Sequence, residues 1–170
     1  MAEVLNREFR ELVRAGANYI QLDEPAISTH PEEVEIAKNA VEIMVKGIKA
    51  YIGMHICYGD YKAIFPDILD FKVDQIDFEF ANRKFEDLKI LEDYSYDKDL
   101  GFGCIDVHSK MVESIDEIKR AIKMALDIVE ADQLYVDPDC GLKLLPRNIA
   151  FEKLKVMVKA TDEVKKEFDL

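Results

Sequence analysis

Residues 51–57 read Tyr-Ile-Gly-Met-His-Ile-Cys, a short apolar run that ends in side chains able to bind a metal or act on a substrate. The segment before it repeats apolar residues every three or four positions, as an amphipathic helix does, at Val34, Ala37, Val41, Met44 and Ile48. A helix followed by a short buried strand is typical of α/β proteins with a parallel sheet covered by helices. This pair of segments therefore indicates the fold class.

The same alternation continues along the whole chain. With the strand at 51–55, we predict five strands in all, the others at residues 19–23, 75–80, 100–107 and 133–137. Helices are expected over roughly residues 2–15, 34–48, 115–129 and 150–161, with a shorter one within 84–99. Two patterns typical of capping boxes, Thr29–Glu32 and Ser114–Glu117, predict where two of the helices begin. We predict a single domain over residues 1–170.

Composition excludes several classes of function. The chain has 170 residues, 49% of them hydrophobic, and a net charge of −12, which argues against non-specific nucleic-acid binding and against docking on anionic membranes. No apolar run approaches the roughly 18 residues of a membrane span. The charged opening segment does not resemble a signal peptide, and three widely spaced cysteines suit a reducing compartment, so we expect a cytoplasmic location.

Polar side chains follow each predicted strand at its carboxyl end. They are Asp23 and Glu24, His55 and Cys57, Glu79, Asp106 to His108, and Asp139 with Cys140. In parallel α/β folds the ligand sites form at this edge of the sheet. The sequence therefore predicts a functional site there.

Four of these residues form a mixed nitrogen, sulfur and oxygen donor set of the kind that binds Zn²⁺ tetrahedrally: His55, Cys57, Glu79 and Cys140. Ligands dispersed over separate strands suit a catalytic site rather than a structural one. Other interpretations stay open, because a cysteine near a strand is often a small buried hydrophobe, as we expect for Cys104. A buried Glu79 could equally pair with a lysine or an arginine.

Five segments in order resemble the C-terminal catalytic domain of cobalamin-independent methionine synthase: Ile20-Gln-Leu-Asp-Glu-Pro-Ala26, His55-Ile-Cys-Tyr-Gly59, Asp77-Phe-Glu79, Asp106-Val-His-Ser109 and Val136-Asp-Pro-Asp-Cys-Gly-Leu-Lys143. The resemblance spans roughly residues 10–160 and implies a TIM (β/α)8 barrel. Only about the last five strands would be present, giving a partial barrel. We therefore expect a partner chain or self-association to complete it, unless the chain is a truncated product.

The resemblance also implies roles for single residues. It places Zn²⁺ on His55, Cys57, Glu79 and Cys140, the amino group of homocysteine on Asp23, and proton transfer near the methyl donor on His108. The implied reaction moves a methyl group from methyltetrahydrofolate or a methylcorrinoid to the thiol of homocysteine, giving methionine. The segment Lys110-Met-Val-Glu-Ser114 replaces a turn with proline in bacterial members, which is closer to short archaeal-type relatives and a corrinoid donor.

Two alternative functions are compatible with the same zinc ligands. One is a corrinoid-dependent methyltransferase with another thiol acceptor, such as coenzyme M; Asp23 argues against it, because a carboxylate has no role with a sulfonate. The other is a non-catalytic zinc-binding or regulatory chain, which would not require Asp23 or His108.

Overall fold

The computed structural model describes residues 1–58 and 60–170, so that Gly59 of the second motif lies outside the described residues. The strands are β1 (Tyr19–Asp23), β2 (Tyr51–Ile56), β3 (Gln75–Glu79), β4 (Asp99–Gly103) and β5 (Leu134–Asp137). They belong to one sheet in chain order. The helices are α1 (Ala2–Arg14), α2 (Val34–Val45), α3 (Leu88–Asp93), α4 (Ile115–Leu126) and α5 (Arg147–Phe168). The predicted α/β fold with five parallel strands is confirmed.

The chain divides into two compact units, Met1–Asp77 and Phe78–Leu170, and the boundary falls inside β3. In the first unit β1 pairs in parallel with β2, and the buried core includes Phe9, Val41 and Met54. In the second unit β4 pairs in parallel with β5, and Phe102 and Ile118 are among its buried residues. The prediction of a single domain over 1–170 stays a prediction.

One predicted helix start is wrong and the other is confirmed. The Thr29 hydroxyl donates to the carbonyl of Ala26 at 2.9 Å instead of capping a helix, and a 3-10 turn over Pro31–Glu33 precedes α2. The capping box at Ser114 and Glu117 is present, since each side chain bonds the backbone N–H of the other.

The strand predicted over 100–107 is too long, because β4 ends at Gly103. The apolar pattern continues since Cys104, Ile105 and Val107 are buried, and the N–H of Cys104 still donates to the Asp137 carbonyl at 2.8 Å, but the regular strand does not extend to these residues. The N–H of Asp106 donates to a carboxylate oxygen of Glu113 at 3.1 Å rather than to a neighbouring strand. The strand was predicted too long because an apolar run was taken as a strand up to its last buried residue.

Among the described residues no helix is both long and apolar enough to cross a bilayer.

Candidate functional site

In the first unit the pairing of β1 with β2 sets Asp23 beside His55. The two residues are register partners at the carboxyl ends of neighbouring parallel strands, which run roughly 4.8 Å apart. The N–H of Glu24 donates to the carbonyl of His55 at 2.8 Å, so the pairing continues past the end of β1. Asp23 is exposed, and its Oδ1 accepts from Nε2 of Gln21 at 3.0 Å. A carboxylate and an imidazole thus share one edge of the first unit.

The imidazole of His55 is oriented by Asp77. The distance from His55 Nδ1 to Asp77 Oδ2 is 2.7 Å, and both side chains are largely buried. Burial raises the pKa of Asp77; the hydrogen bond with His55 opposes this shift, and repulsion from Asp23 adds to it. A carboxylate on Nδ1 favours the tautomer whose lone pair is on Nε2, the arrangement found in most metal-binding histidines.

Cys57 follows β2 and is held through backbone carbonyl groups. Ser28 Oγ donates to the carbonyl of Cys57 at 3.0 Å, and the Tyr61 hydroxyl donates to the carbonyl of Ile56 at 3.1 Å. The Cys57 side chain is buried. The first unit therefore brings Asp23, His55 and Cys57 to the carboxyl ends of β1 and β2, as the sequence predicted.

In the second unit Glu79 ends β3 and is almost fully buried. Asn82 lies in the 3-10 turn that follows, and its Nδ2 donates to Glu79 Oε2 at 2.8 Å. This bond fixes one carboxylate oxygen. Glu79 thus has a defined orientation at the end of its strand.

Asp139, next to Cys140, is fully buried and holds the same turn. Its Oδ1 accepts the N–H groups of Phe80 at 3.1 Å and Ala81 at 2.9 Å, and its Oδ2 accepts that of Asn82 at 2.7 Å. Asp139 is therefore a buried structural carboxylate rather than a solvated one. The second unit uses one carboxylate to connect the β5 loop carrying Cys140 to the turn that bonds Glu79.

The surroundings of Asp139 are electrostatically demanding. Burial raises its pKa to about 7, the N–H groups of Ala81 and Asn82 oppose that shift, and repulsion from Glu79 and Asp106 adds to it. The backbone of Gly103 also lies very close to Phe78 and Asp139. A Cβ on Gly103 would lie 2.5 Å from the Phe78 carbonyl oxygen and 2.7 Å from Asp139 Oδ1, so this position requires glycine.

His108 lies in the loop after β4 and is exposed. Its backbone N–H donates to Asp106 Oδ1 at 2.8 Å, and its Nδ1 lies 3.5 Å from the same oxygen. The second unit therefore places Glu79, His108 and Cys140 at or just beyond the carboxyl ends of β3, β4 and β5. Cys104 is buried as predicted, and burial, with repulsion from Asp139, raises the pKa of its thiol far above the ordinary range.

Three supporting residues were not predicted from the sequence: Asp77, Asn82 and Asp139. A signal existed for Asp77, because it stands two positions before Glu79 on one strand and so lies on the same face. For Asp139 the only signal is its place beside a cysteine. For Asn82 we find none.

Fold and site together define a parallel β/α protein whose candidate metal-ligand side chains follow its strands. The chain belongs to the family described as "Cobalamin-independent synthase, Catalytic domain", whose sequence model matches residues 1–163. The family resemblance drawn from the five motifs is thereby confirmed.

Curated relatives and a solved structure agree with this membership. The chain is 48% identical over 169 residues to a methionine synthase of Pyrococcus horikoshii, covering 99% of this chain and 50% of that protein. It is 46% identical over 167 residues to one of Sulfurisphaera tokodaii, covering 98% and 49%. The chain thus spans about half the length of the curated relatives it matches.

The similar solved structure is a B12-independent methionine synthase of a Shewanella species in complex with selenomethionine. It superposes with a TM-score of 0.91 at 30% sequence identity, and the match covers 98% of this chain and 54% of the other. The α/β arrangement of this chain is therefore also found in that structure.

Proposed function

We propose that this chain carries the zinc centre and part of the homocysteine site of a homocysteine S-methyltransferase. The observation that carries the proposal is the donor set at the strand ends: His55 and Cys57 at the end of β2 in the first unit, and Glu79 and Cys140 at or just beyond the ends of β3 and β5 in the second. Membership of the synthase family gives the reaction class.

The donor set fits zinc better than other common ions. Two sulfurs, one imidazole nitrogen and one carboxylate oxygen are soft and borderline ligands, unlike the all-oxygen sets that Mg²⁺ and Ca²⁺ prefer. Structural and catalytic zinc sites take up to four protein ligands, the number that this set offers. Asp77 on His55 Nδ1 and Asn82 on Glu79 Oε2 supply the supporting hydrogen bonds that metal ligands need.

Zinc bound there would lower the pKa of a coordinated thiol, so that the sulfur of homocysteine is a nucleophile at neutral pH. The sulfur lone pair forms the bond to the methyl carbon, and the electron pair of the breaking bond stays with the donor. Asp23 would bind the ammonium group of homocysteine, since it is an exposed carboxylate beside His55. His108 would give a proton to the leaving group.

The role of His108 depends on the donor. A folate nitrogen that loses its methyl group must gain a proton, whereas cobalt in a corrinoid keeps the electron pair without one. A His108→Gln variant should therefore lose activity with a methylfolate and keep it with methylcobalamin. The assay thus tests His108 and shows which donor the chain uses.

We also propose that a partner chain, or a second copy, completes the barrel. Support comes from the curated relatives, of which this chain spans about half. The cytoplasmic location stays a prediction.

The test is zinc content followed by turnover. Cys57→Ala and Cys140→Ala should lower bound zinc from about one equivalent to little or none, whereas Cys104→Ala, a buried cysteine outside the donor set, should keep it. Methionine formation is then measured with each donor, alone and with the candidate partner. Zinc retained in a Cys57→Ala, Cys140→Ala double variant would refute the ligand assignment. Turnover with coenzyme M but not with homocysteine would favour a methyltransferase with another thiol acceptor. Zinc binding without any turnover would favour a non-catalytic or regulatory chain.

A further inference from the structure

The loop between β4 and α4 carries Asp106 and His108, and a buried ion pair connects this loop to α5. Lys153 of α5 is fully buried, and its Nζ donates to both carboxylate oxygens of Glu113 at 2.8 Å. The same Nζ donates to the carbonyl of Met111 at 2.5 Å. A single ammonium group therefore holds two points of the loop against α5.

The ion pair continues as a chain of hydrogen bonds toward the strand end. Glu113 Oε1, bound to Lys153, accepts the backbone N–H of Asp106 at 3.1 Å. Asp106 Oδ1 in turn accepts the backbone N–H of His108 at 2.8 Å. Lys153, Glu113 and Asp106 thus link the interior of the second unit to the backbone of His108, the residue that we place in proton transfer.

The energetics favour a positioning role over a purely stabilising one. Burying an ion pair costs desolvation, and replacing such a pair by apolar side chains of similar volume is often neutral or stabilising. What the charged pair adds is direction, because a carboxylate with fixed oxygens defines where the N–H of Asp106 points. The loop also lines a cavity of about 380 Å³, together with Phe85 and Ile118, within the size range of small-molecule sites.

We propose that Lys153 and Glu113 are positioning residues that hold Asp106 and His108 at the carboxyl end of β4. The consequence for turnover rests on the function proposed above, whereas the consequence for the loop does not. The competing explanation is that the pair simply fastens α5 to its neighbours. A matched control exists, since Lys119 of α4 already pairs with Glu163 of α5 at 3.1 Å, away from the loop.

The first experiment measures amide hydrogen exchange in the full chain. A Glu113→Leu, Lys153→Met double variant removes both charges and the acceptor for Asp106, so it should stay folded while the Asp106 and His108 amides exchange at least about tenfold faster. Lys119→Met should leave these amides unchanged. Unchanged exchange in the folded double variant would overturn the proposal, as would equal acceleration in Lys119→Met.

The second experiment compares kinetics in the zinc-loaded chain with a methylfolate, the donor for which His108 supplies a proton. Lys153→Met should lower kcat about tenfold while KM for homocysteine stays constant, because Asp23 and the zinc ligands are untouched. Lys153→Arg should restore part of kcat, since it keeps the buried charge. A parallel rise in KM, or no rescue by arginine, would show a general structural role and refute positioning. If the wild-type chain is inactive with every donor, both alone and with the candidate partner, the proposed function fails, and the exchange experiment still decides the positioning.

Discussion

Replacing Asp139 by asparagine should destabilise the second unit, because this buried carboxylate accepts three backbone N–H groups. An asparagine oxygen can still accept from Phe80 and Ala81, but its NH₂ group would face the N–H of Asn82, which now donates to Oδ2 at 2.7 Å. The variant loses one charge-assisted hydrogen bond, worth about 1.5–3 kcal/mol, and leaves a buried donor without an acceptor. Removing the charge also relieves the burial cost that raises the Asp139 pKa, so we expect a net loss of only about 1–2 kcal/mol in the free energy of unfolding.

Urea denaturation monitored by circular dichroism measures this change directly. A loss of about 1–2 kcal/mol corresponds to a fall in Tm of about 2–8 °C for a chain of this size. The measurement belongs at about pH 8, where Asp139, with a pKa raised to about 7, is ionised in the wild type. Asp97→Asn, at an exposed position, is the control and should be neutral. A variant within about 0.5 kcal/mol of wild type would show that the three bonds do not hold the turn.

Two further predictions concern sterics and charge. Gly103→Ala should cost about 1–3 kcal/mol, because its Cβ would meet the Phe78 carbonyl and Asp139, whereas Gly141→Ala, with no atom within 4 Å, should be neutral in the same unfolding assay. Glu167 has its pKa lowered to about 2 by hydrogen bonds from Lys119 and a second lysine of α4. Since the pKa is depressed in the folded state, its contribution is present above the unfolded pKa of about 4.3 and is lost toward about pH 2. Glu167→Gln should therefore lower Tm at neutral pH and match the wild type near pH 2; an equal gap at both would contradict this.

The strand positions were predictable because local pattern and tertiary environment agree. Residues 19–23 are a strand in both the sequence prediction and the structure, and the ligand-type residues follow their strands as expected. The predictions fail where a backbone N–H bonds a side chain that is distant from the local sequence pattern. At residue 104 the apolar run continues, yet the N–H of Asp106 is taken by Glu113 and the strand has ended.

The helix α5 shows why such partners escape prediction. Ala150, Leu154, Met157 and Thr161 recur at helical spacing and indicate this helix, but its buried residues are Lys153, Met157, Ala160 and Val164. A hydrophobicity pattern treats Lys153 as polar, and it therefore assigns Leu154 instead of Lys153 to the buried face of α5. Whether a lysine can be buried depends on a carboxylate 40 residues away, Glu113, which no local pattern records. Asp139 is the same case, since its partners are 57 to 59 residues away. Local rules therefore fail at the charged groups that hold the proposed site.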